Sequence, residues 1–322
     1  MKTKSLLTNP LFVTLAALLC CALWGSATPF IKIGYALLLP ERNVASTILF
    51  AGIRFTCAGL LTVGIYSIAR RRLIYPKKEN LWMVGTVSAF QTVIQYICFY
   101  LGLSLTSGVK GTLLSGCSVF FAILVSALIF KMEKITVRQI AACAVGFFGM
   151  LLVNLTGLEL TLNLGDVLVL LSAASLAVSS VLIKRFSRFE DPVVLSGYQF
   201  ILGGLVMTLG ALAFGGRISI PNGKAFFVLL YLSLLSAVAY AVWGLLLQYN
   251  PVSRVTVFSF MTPVFGVLLS MLMLRSEESL VRPINLILAL LLVSLGIFIL
   301  NYRRMAHSPT SDAASDRPSE EK

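Results

Sequence analysis

Arg54 stands alone in an apolar stretch, Leu49-Phe50-Ala51-Gly52-Ile53-Arg54-Phe55, and is the residue of this sequence best equipped for chemistry. Its guanidinium offers five N–H donors in a planar fork that matches a carboxylate or a phosphate. The apolar run around it begins near Val44, and at 1.5 Å per residue Arg54 then lies roughly 15 Å along a helix. That is close to the middle of a hydrocarbon layer ~30 Å thick. A cation at that depth costs at least ~2.5–3.5 kcal/mol on insertion scales, so it must face a cavity or a partner and not lipid. Two readings follow: an anchor for a substrate carboxylate or phosphate, and a fixed structural cation held by helix carbonyls or a polar neighbour.

Other polar side chains fall at comparable depth. Gln91 and Gln95 are four residues apart, on one helical face, with Tyr96 and Tyr100 beside them. Amides at that depth either glue helices together or line a wet path. Trp24-Gly25-Ser26 followed by Pro29 would let its helix bend near mid-membrane, with freed carbonyls as ligands. Lys32 sits near the outer end of the same run, where a lysine snorkels to the headgroups. Ser172, Ser175, Ser179 and Ser180 form a small-residue face suited to close packing.

Hydrolytic and redox chemistry lack residues. His307 is the single histidine, and no His/Asp/Glu cluster could build a metal site or a serine triad. Phosphate-binding glycine loops are missing too, which argues against direct ATP-driven work. Cys20, Cys21, Cys57, Cys98, Cys117 and Cys143 all fall in apolar runs without metal-ligand spacing, and read as packing residues. Glu41, Glu79, Glu133, Glu159, Asp166, Glu190, Asp191, Glu277 and Glu278 lie in loops or within a turn of a helix end. A buried acid that alternately takes proton and organic cation is therefore absent, and Asp166 reads as an acidic residue in the first turn of a helix. No enzyme, cofactor or metal is expected.

These side chains need a membrane to hold them. The chain is 58% hydrophobic and only 12% charged, with mean hydropathy +0.92, against roughly 25% charge in soluble domains. Apolar runs occur at 11–34, 44–69, 81–103, 108–130, 138–154, 165–185, 193–214, 226–249, 254–274 and 283–301, each near the ~20 residues that cross hydrocarbon. The expected fold is an all-α integral membrane protein with ten transmembrane helices. The first run is too long for a signal peptide and lacks a small-residue cleavage site, so removal is not expected. With the N-terminus inside, Lys2, Lys4, Arg70, Arg71, Arg72, Lys77, Lys78, Lys131, Lys134, Arg138, Lys184, Arg185, Arg188, Arg254, Arg303 and Arg304 all fall on the inner side. Arg42, Lys110, Arg217, Lys224, Arg275 and Arg282 fall outside. The asymmetry places both termini in the cytoplasm of a cell membrane. The net charge of +13 is then met by anionic lipid headgroups, with no nucleic acid as partner. From Met305 the Ser, Pro, Asp and Glu content predicts a disordered tail over 303–322.

The runs repeat. An offset of 145 residues carries Gly52, Phe55, Gly59 and Leu60 onto Gly197, Phe200, Gly204 and Leu205, and Arg72 and Pro76 onto Arg217 and Pro221. It also carries Leu101 onto Leu246, Val119-Phe120 onto Val264-Phe265, and Glu133 onto Glu278. Two five-helix copies, 11–154 and 165–302, follow residues 1–10. An odd helix number inverts the second copy, the architecture of alternating-access carriers. At this offset Gln199 is the counterpart of Arg54, and Ser236 and Tyr240 are the counterparts of Gln91 and Gln95. Trp24, Arg54, Gln91, Gln95, Gln199, Ser236 and Tyr240 are thus expected to line a substrate site between the copies. Thr262-Pro263 should kink the ninth run, whereas Ser118 stands at the matching place in the fourth.

The sequence resembles the ten-helix branch of the drug/metabolite transporter superfamily, built from two EamA-type domains, over roughly residues 11–302. The resemblance is carried by Ala22-Leu23-Trp24-Gly25-Ser26 with Lys32, Ile53-Arg54-Phe55 with Ala58-Gly59-Leu60, and Gly165-Asp166-Val167-Leu168. Thr262-Pro263-Val264-Phe265 with Glu277-Glu278 completes it. Leu176 and Ala177 depart from the tryptophan common there, and Lys131-Met132-Glu133 from a glycine-glutamate ending. The resemblance implies a secondary carrier, an exporter of amino acids or other small metabolites, with its site between the halves; a homodimer is compatible with it. The combined expectation is a carrier of a small zwitterionic or anionic metabolite. The alternative is a membrane receptor or accessory subunit that binds such a ligand without moving it.

Overall fold

The computed structural model describes residues 2–41, 43–106, 108–153, 162–273 and 283–305, which are helical with short connections. Among the described residues eight helices are long and apolar enough to cross a membrane: Pro10–Leu38, Val44–Arg70, Lys78–Leu105, Gly111–Ile129, Leu164–Phe186, Pro192–Ala213, Gly223–Tyr249 and Val252–Ser270. The fifth and tenth positions hold shorter apolar segments, Val137–Leu152 and Ile287–Leu300. These are the ten runs of the sequence, numbered here as the first to tenth spans. A seven-residue helix, Lys2–Thr8, precedes them. The tail beyond Met305, Arg42, Glu159, Arg275, Glu277, Glu278 and Arg282 lie outside the described residues.

Local chemistry starts the helices. Asn9, Asn43, Asn163, Asp191 and Asn222 each accept a hydrogen bond from a first-turn N–H through their side chains, satisfying donors that a helix leaves orphaned. Pro10 and Pro192 follow two of these caps, where a missing N–H costs nothing. At the sixth span Asn163 and Asp166 form a reciprocal capping box.

Packing then reveals the repeat. The second span lies along the seventh, the fifth along the tenth, the first against the eighth and ninth, and the sixth against the third and fourth. Exchanging the copies maps this set of pairs onto itself. The second and seventh spans run antiparallel: Ala45 meets Gly216, Gly52 meets Gly204 and Thr208, Gly59 meets Gly197 and Ile201, and Tyr66 reaches Asp191. These are the two helices that the 145-residue offset superposes, and they cross the bundle in opposite directions. The approach is backbone to backbone. A Cβ on Gly59 would lie 2.5 Å from the Gly197 carbonyl oxygen, and one on Gly204 2.5 Å from the Thr56 nitrogen.

Three spans depart from regular α-helix. Ala89–Ile94 in the third and Val125–Ile129 in the fourth are π-helical, and Val257–Phe260 in the ninth is 3-10. The last precedes Pro263, whose missing N–H frees a carbonyl one turn back. The first span, whose Trp24–Pro29 segment permits a bend, is helical without interruption from Pro10 to Leu38. Its Gly25 is instead a close-approach point: a Cβ there would lie 2.6 Å from the Phe265 Cβ of the ninth span.

The end of the bundle that carries the N-terminus is stitched across the copies. The Glu133 carboxylate accepts from the backbone N–H groups of Val252 and Ser253 and from the Ser253 hydroxyl, at the start of the ninth span. Gln139 Nε2 donates to Ser253 Oγ at 2.9 Å, and Asn250 Nδ2 to the Leu7 carbonyl at 2.9 Å. Read as a loop residue in the sequence, Glu133 is an N-terminal cap supplied by the opposite half.

Candidate functional site

Equivalent phenylalanines meet at the centre of the crossing. Phe55 and Phe200 stack with centroids 5.0 Å apart and planes 7° from parallel. Phe55 also contacts Tyr96, at 4.4 Å, and Phe200 meets Tyr240 edge-on at 4.8 Å. The Tyr96 and Tyr240 hydroxyls lie 2.8 Å apart and close the cycle. Four spans, the second, third, seventh and eighth, thus contribute one ring each. Trp24 of the first span joins from outside the cycle, 5.1 Å from Tyr240 and 4.9 Å from Trp243.

Arg54 is set against this box. It is 4% exposed, its guanidinium carbon is 4.4 Å from the Phe55 ring centroid, and it stands within electrostatic reach of the Tyr100 and Tyr240 phenols. Its Nε and Nη1 have no hydrogen-bond partner in the protein, and no carboxylate pairs with it among the described residues. A cation over a desolvated ring gains ~1–2 kcal/mol, which offsets only part of the burial penalty.

The amides share this condition. Gln199 is fully buried; its Oε1 accepts from Thr92 Oγ1 at 2.6 Å, while its Nε2 has no partner. Gln91 and Gln95 are buried on the third span, each with an unpartnered Oε1. Gln91 and Thr92 lie within the π-helical stretch Ala89–Ile94, a distortion frequent at functional sites. The Trp24 indole N–H is unpartnered as well. Trp24, Arg54, Gln91, Gln95 and Gln199, all expected from the sequence to line a site, therefore carry buried polar atoms that the protein leaves unsatisfied. Each such atom costs about 1–3 kcal/mol, and folds rarely leave several in one region without a use.

The remaining expected residues divide. Tyr240 belongs to the aromatic box. Ser236, fully buried, donates to the Leu232 carbonyl of its own helix at 2.9 Å, so its donor is engaged. Asp166 takes the structural role expected of it, accepting from the Asn163 N–H at 2.7 Å and the Thr106 hydroxyl at 2.5 Å. Lys32 is exposed. On the sixth span Ser175 donates to the Phe90 carbonyl of the π-helical stretch at 2.6 Å, which makes that serine face a packing surface. All six thiols are free. Residues that the sequence reading left out are Thr92, Phe55, Phe200 and Trp243. The two phenylalanines were nonetheless in view as anchors of the repeat.

A guanidinium fork, three amides and aromatic walls can hold a small solute that bears an anionic group. They offer no general base beside a nucleophile, and no group of residues able to hold a metal ion occurs among the described residues.

Comparison with known proteins agrees with the architecture. The model of the EamA-like transporter family matches residues 11–155 and 163–302, one match per copy. The WAT1-related protein At3g02690, chloroplastic, of Arabidopsis thaliana is 24% identical over 293 residues, covering 85% of this chain and 68% of that protein. An uncharacterized transporter of Archaeoglobus fulgidus is 24% identical over 288 residues, covering 87% and 95%. The uncharacterized transporter YvbV of Bacillus subtilis is 24% identical over 302 residues, covering 92% and 93%. A crystal structure superposes with a TM-score of 0.73 at 18% identity over 92% of this chain and 99% of that one, a likeness of fold alone. With both copies matched, the chain belongs to the EamA-like transporter family and is a multi-pass membrane transporter, not an enzyme.

Proposed function

We propose that the protein is a secondary carrier of a small zwitterionic or anionic metabolite, such as an amino acid, working by alternating access between its two copies. The observation that carries this reading is Arg54: buried, near mid-membrane, with two N–H-bearing nitrogens unpartnered and no carboxylate at hand among the described residues. A substrate carboxylate or phosphate supplies the missing acceptor. The unpartnered oxygens of Gln91 and Gln95 suit an ammonium group, and the Phe55, Tyr96, Phe200 and Tyr240 rings suit a carbon skeleton. Rocking of one copy against the other about the second and seventh spans would expose this site to either side. The excess of basic residues on one side supports a cell-membrane location with both termini cytoplasmic, and the direction, export, rests on the family resemblance.

Purified protein in liposomes, assayed for flux of a panel of radiolabelled amino acids and organic acids, tests the reading. Protein-dependent flux of at least one such solute, abolished by Arg54→Gln, is expected. Movement of lipophilic cations with none of the panel would overturn the substrate class.

A further inference from the structure

Far from the central site, a cavity of about 490 Å³ opens at the end of the bundle that carries the N-terminus, between the second–third loop and the start of the seventh span. Arg70, Arg72, Lys77, Tyr66 and Tyr75 line it, with Glu190 and Asp191. The carboxylates are occupied. Asp191 accepts from Val193 N–H at 2.8 Å and Tyr66 OH at 2.6 Å, and lies 4.0 Å from Arg70. Glu190 accepts from Lys77 N–H and Asn80 Nδ2, both at 3.0 Å. The side chains of Arg72 and Lys77 have no carboxylate partner among the described residues.

The cavity wall is preformed. Ile74, 7% exposed, donates its N–H to Ser67 Oγ at 3.2 Å, and its carbonyl accepts from Tyr198 OH at 2.9 Å. The flanking Leu73 and Tyr75 turn outward, 82% and 74% exposed, as does Ile68 at 79% one turn below. The depth suits lipid. The second span has 27 residues, about 40 Å at 1.5 Å each, which overruns a ~30 Å hydrocarbon core and carries its end into the headgroup layer.

The geometry points to a site for the phosphate of an anionic phospholipid, with Arg72 and Lys77 as its cations and the Leu73 and Tyr75 side chains laid into the interface. A free phosphate shares the charge chemistry but has no use for the apolar rim.

Native mass spectrometry of the full chain from mixed micelles, titrated with phosphatidylglycerol, phosphatidylcholine or inorganic phosphate, tests this. Each interfacial cation contributes about five-fold to holding an anionic headgroup, so Arg72→Gln with Lys77→Gln should weaken phosphatidylglycerol retention about thirty-fold. Retention of phosphatidylcholine should not change, and Lys134→Gln, on an exposed loop at the same end, should leave both lipids as in the wild type. Equal loss in Lys134→Gln would show a diffuse field and no site. Unchanged retention in the double variant, or inorganic phosphate displacing the lipid at millimolar concentration, would overturn the assignment equally.

Discussion

Arg54→Met should stabilise the protein while removing its binding function. In the wild type a 4%-exposed guanidinium leaves Nε and Nη1 without partners, at a cost of about 2.5–3.5 kcal/mol for a cation at this depth. Its stacking over Phe55, 4.4 Å from the ring centroid, returns about 1–2 kcal/mol. Methionine is unbranched, similar in reach and adaptable in packing, so the net gain is about 1.5 kcal/mol. For a large chain that corresponds to a rise of about 3 °C in melting temperature. The assay is intrinsic-fluorescence melting in one detergent, with and without a transported solute at saturation. At a hundred times its Kd such a solute adds about 2.7 kcal/mol to the wild type by mass action, and it should add nothing to the variant. A folded Arg54→Met protein that melts at or below the wild type would refute the reasoning, because the guanidinium would then be satisfied and structural.

Four further perturbations probe the frame. Gly59→Leu drives a side chain into the Gly197 carbonyl 2.5 Å away and should cost more than about 3 kcal/mol or abolish folded yield in size-exclusion profiles. Gly64→Ala, with nothing within 4 Å of its Cβ, should gain up to about 1 kcal/mol from helix propensity. Tyr96→Phe and Tyr240→Phe each orphan the hydroxyl of the 2.8 Å pair and should each cost about 1–3 kcal/mol. The double variant should be nearly neutral, and additive losses in the thermodynamic cycle would show that the pair is not coupled. Glu133→Gln removes a charged acceptor from two backbone N–H groups and should cost about 1.5–3 kcal/mol. Hydrogen exchange at Val252 and Ser253 should rise, and unchanged protection would deny Glu133 its capping role.

What could be read in advance follows physical range. The Asn and Asp caps act over two or three residues, so helix starts at Asn43, Asn163 and Asn222 were close to the run boundaries drawn from hydropathy alone. Arg54 and the amides announced themselves because a polar side chain at mid-membrane depth is expensive anywhere. The π-helical stretch at Gln91 left no such signal: Ser175 of the sixth span bonds its Phe90 carbonyl, a contact no local pattern encodes. Glu133 lies in a loop, as its place in the sequence indicates, but its capping role has no local signal either, its partners lying about 120 residues away. Pro29 sits inside a helix that runs unbroken from Pro10 to Leu38, and the close packing of Gly25 against the ninth span is likewise set by a distant partner.

Phe55 touching Phe200 means that one position of the repeating unit touches itself. Equivalent residues meet in this way only on a two-fold axis, as in an isologous dimer. Were the unit a separate chain inserted in both orientations, any substitution at that position would strike the interface twice. Joined in a single chain, the two halves are free to drift apart one residue at a time. The neighbouring position has done so, with arginine at 54 and glutamine at 199, while the phenylalanines on the axis have stayed alike. Fusion thus converts a self-complementary seam into one whose two sides can differ. It permits a single charge at the centre where a strict dimer would have placed two, repelling each other across the same ring stack.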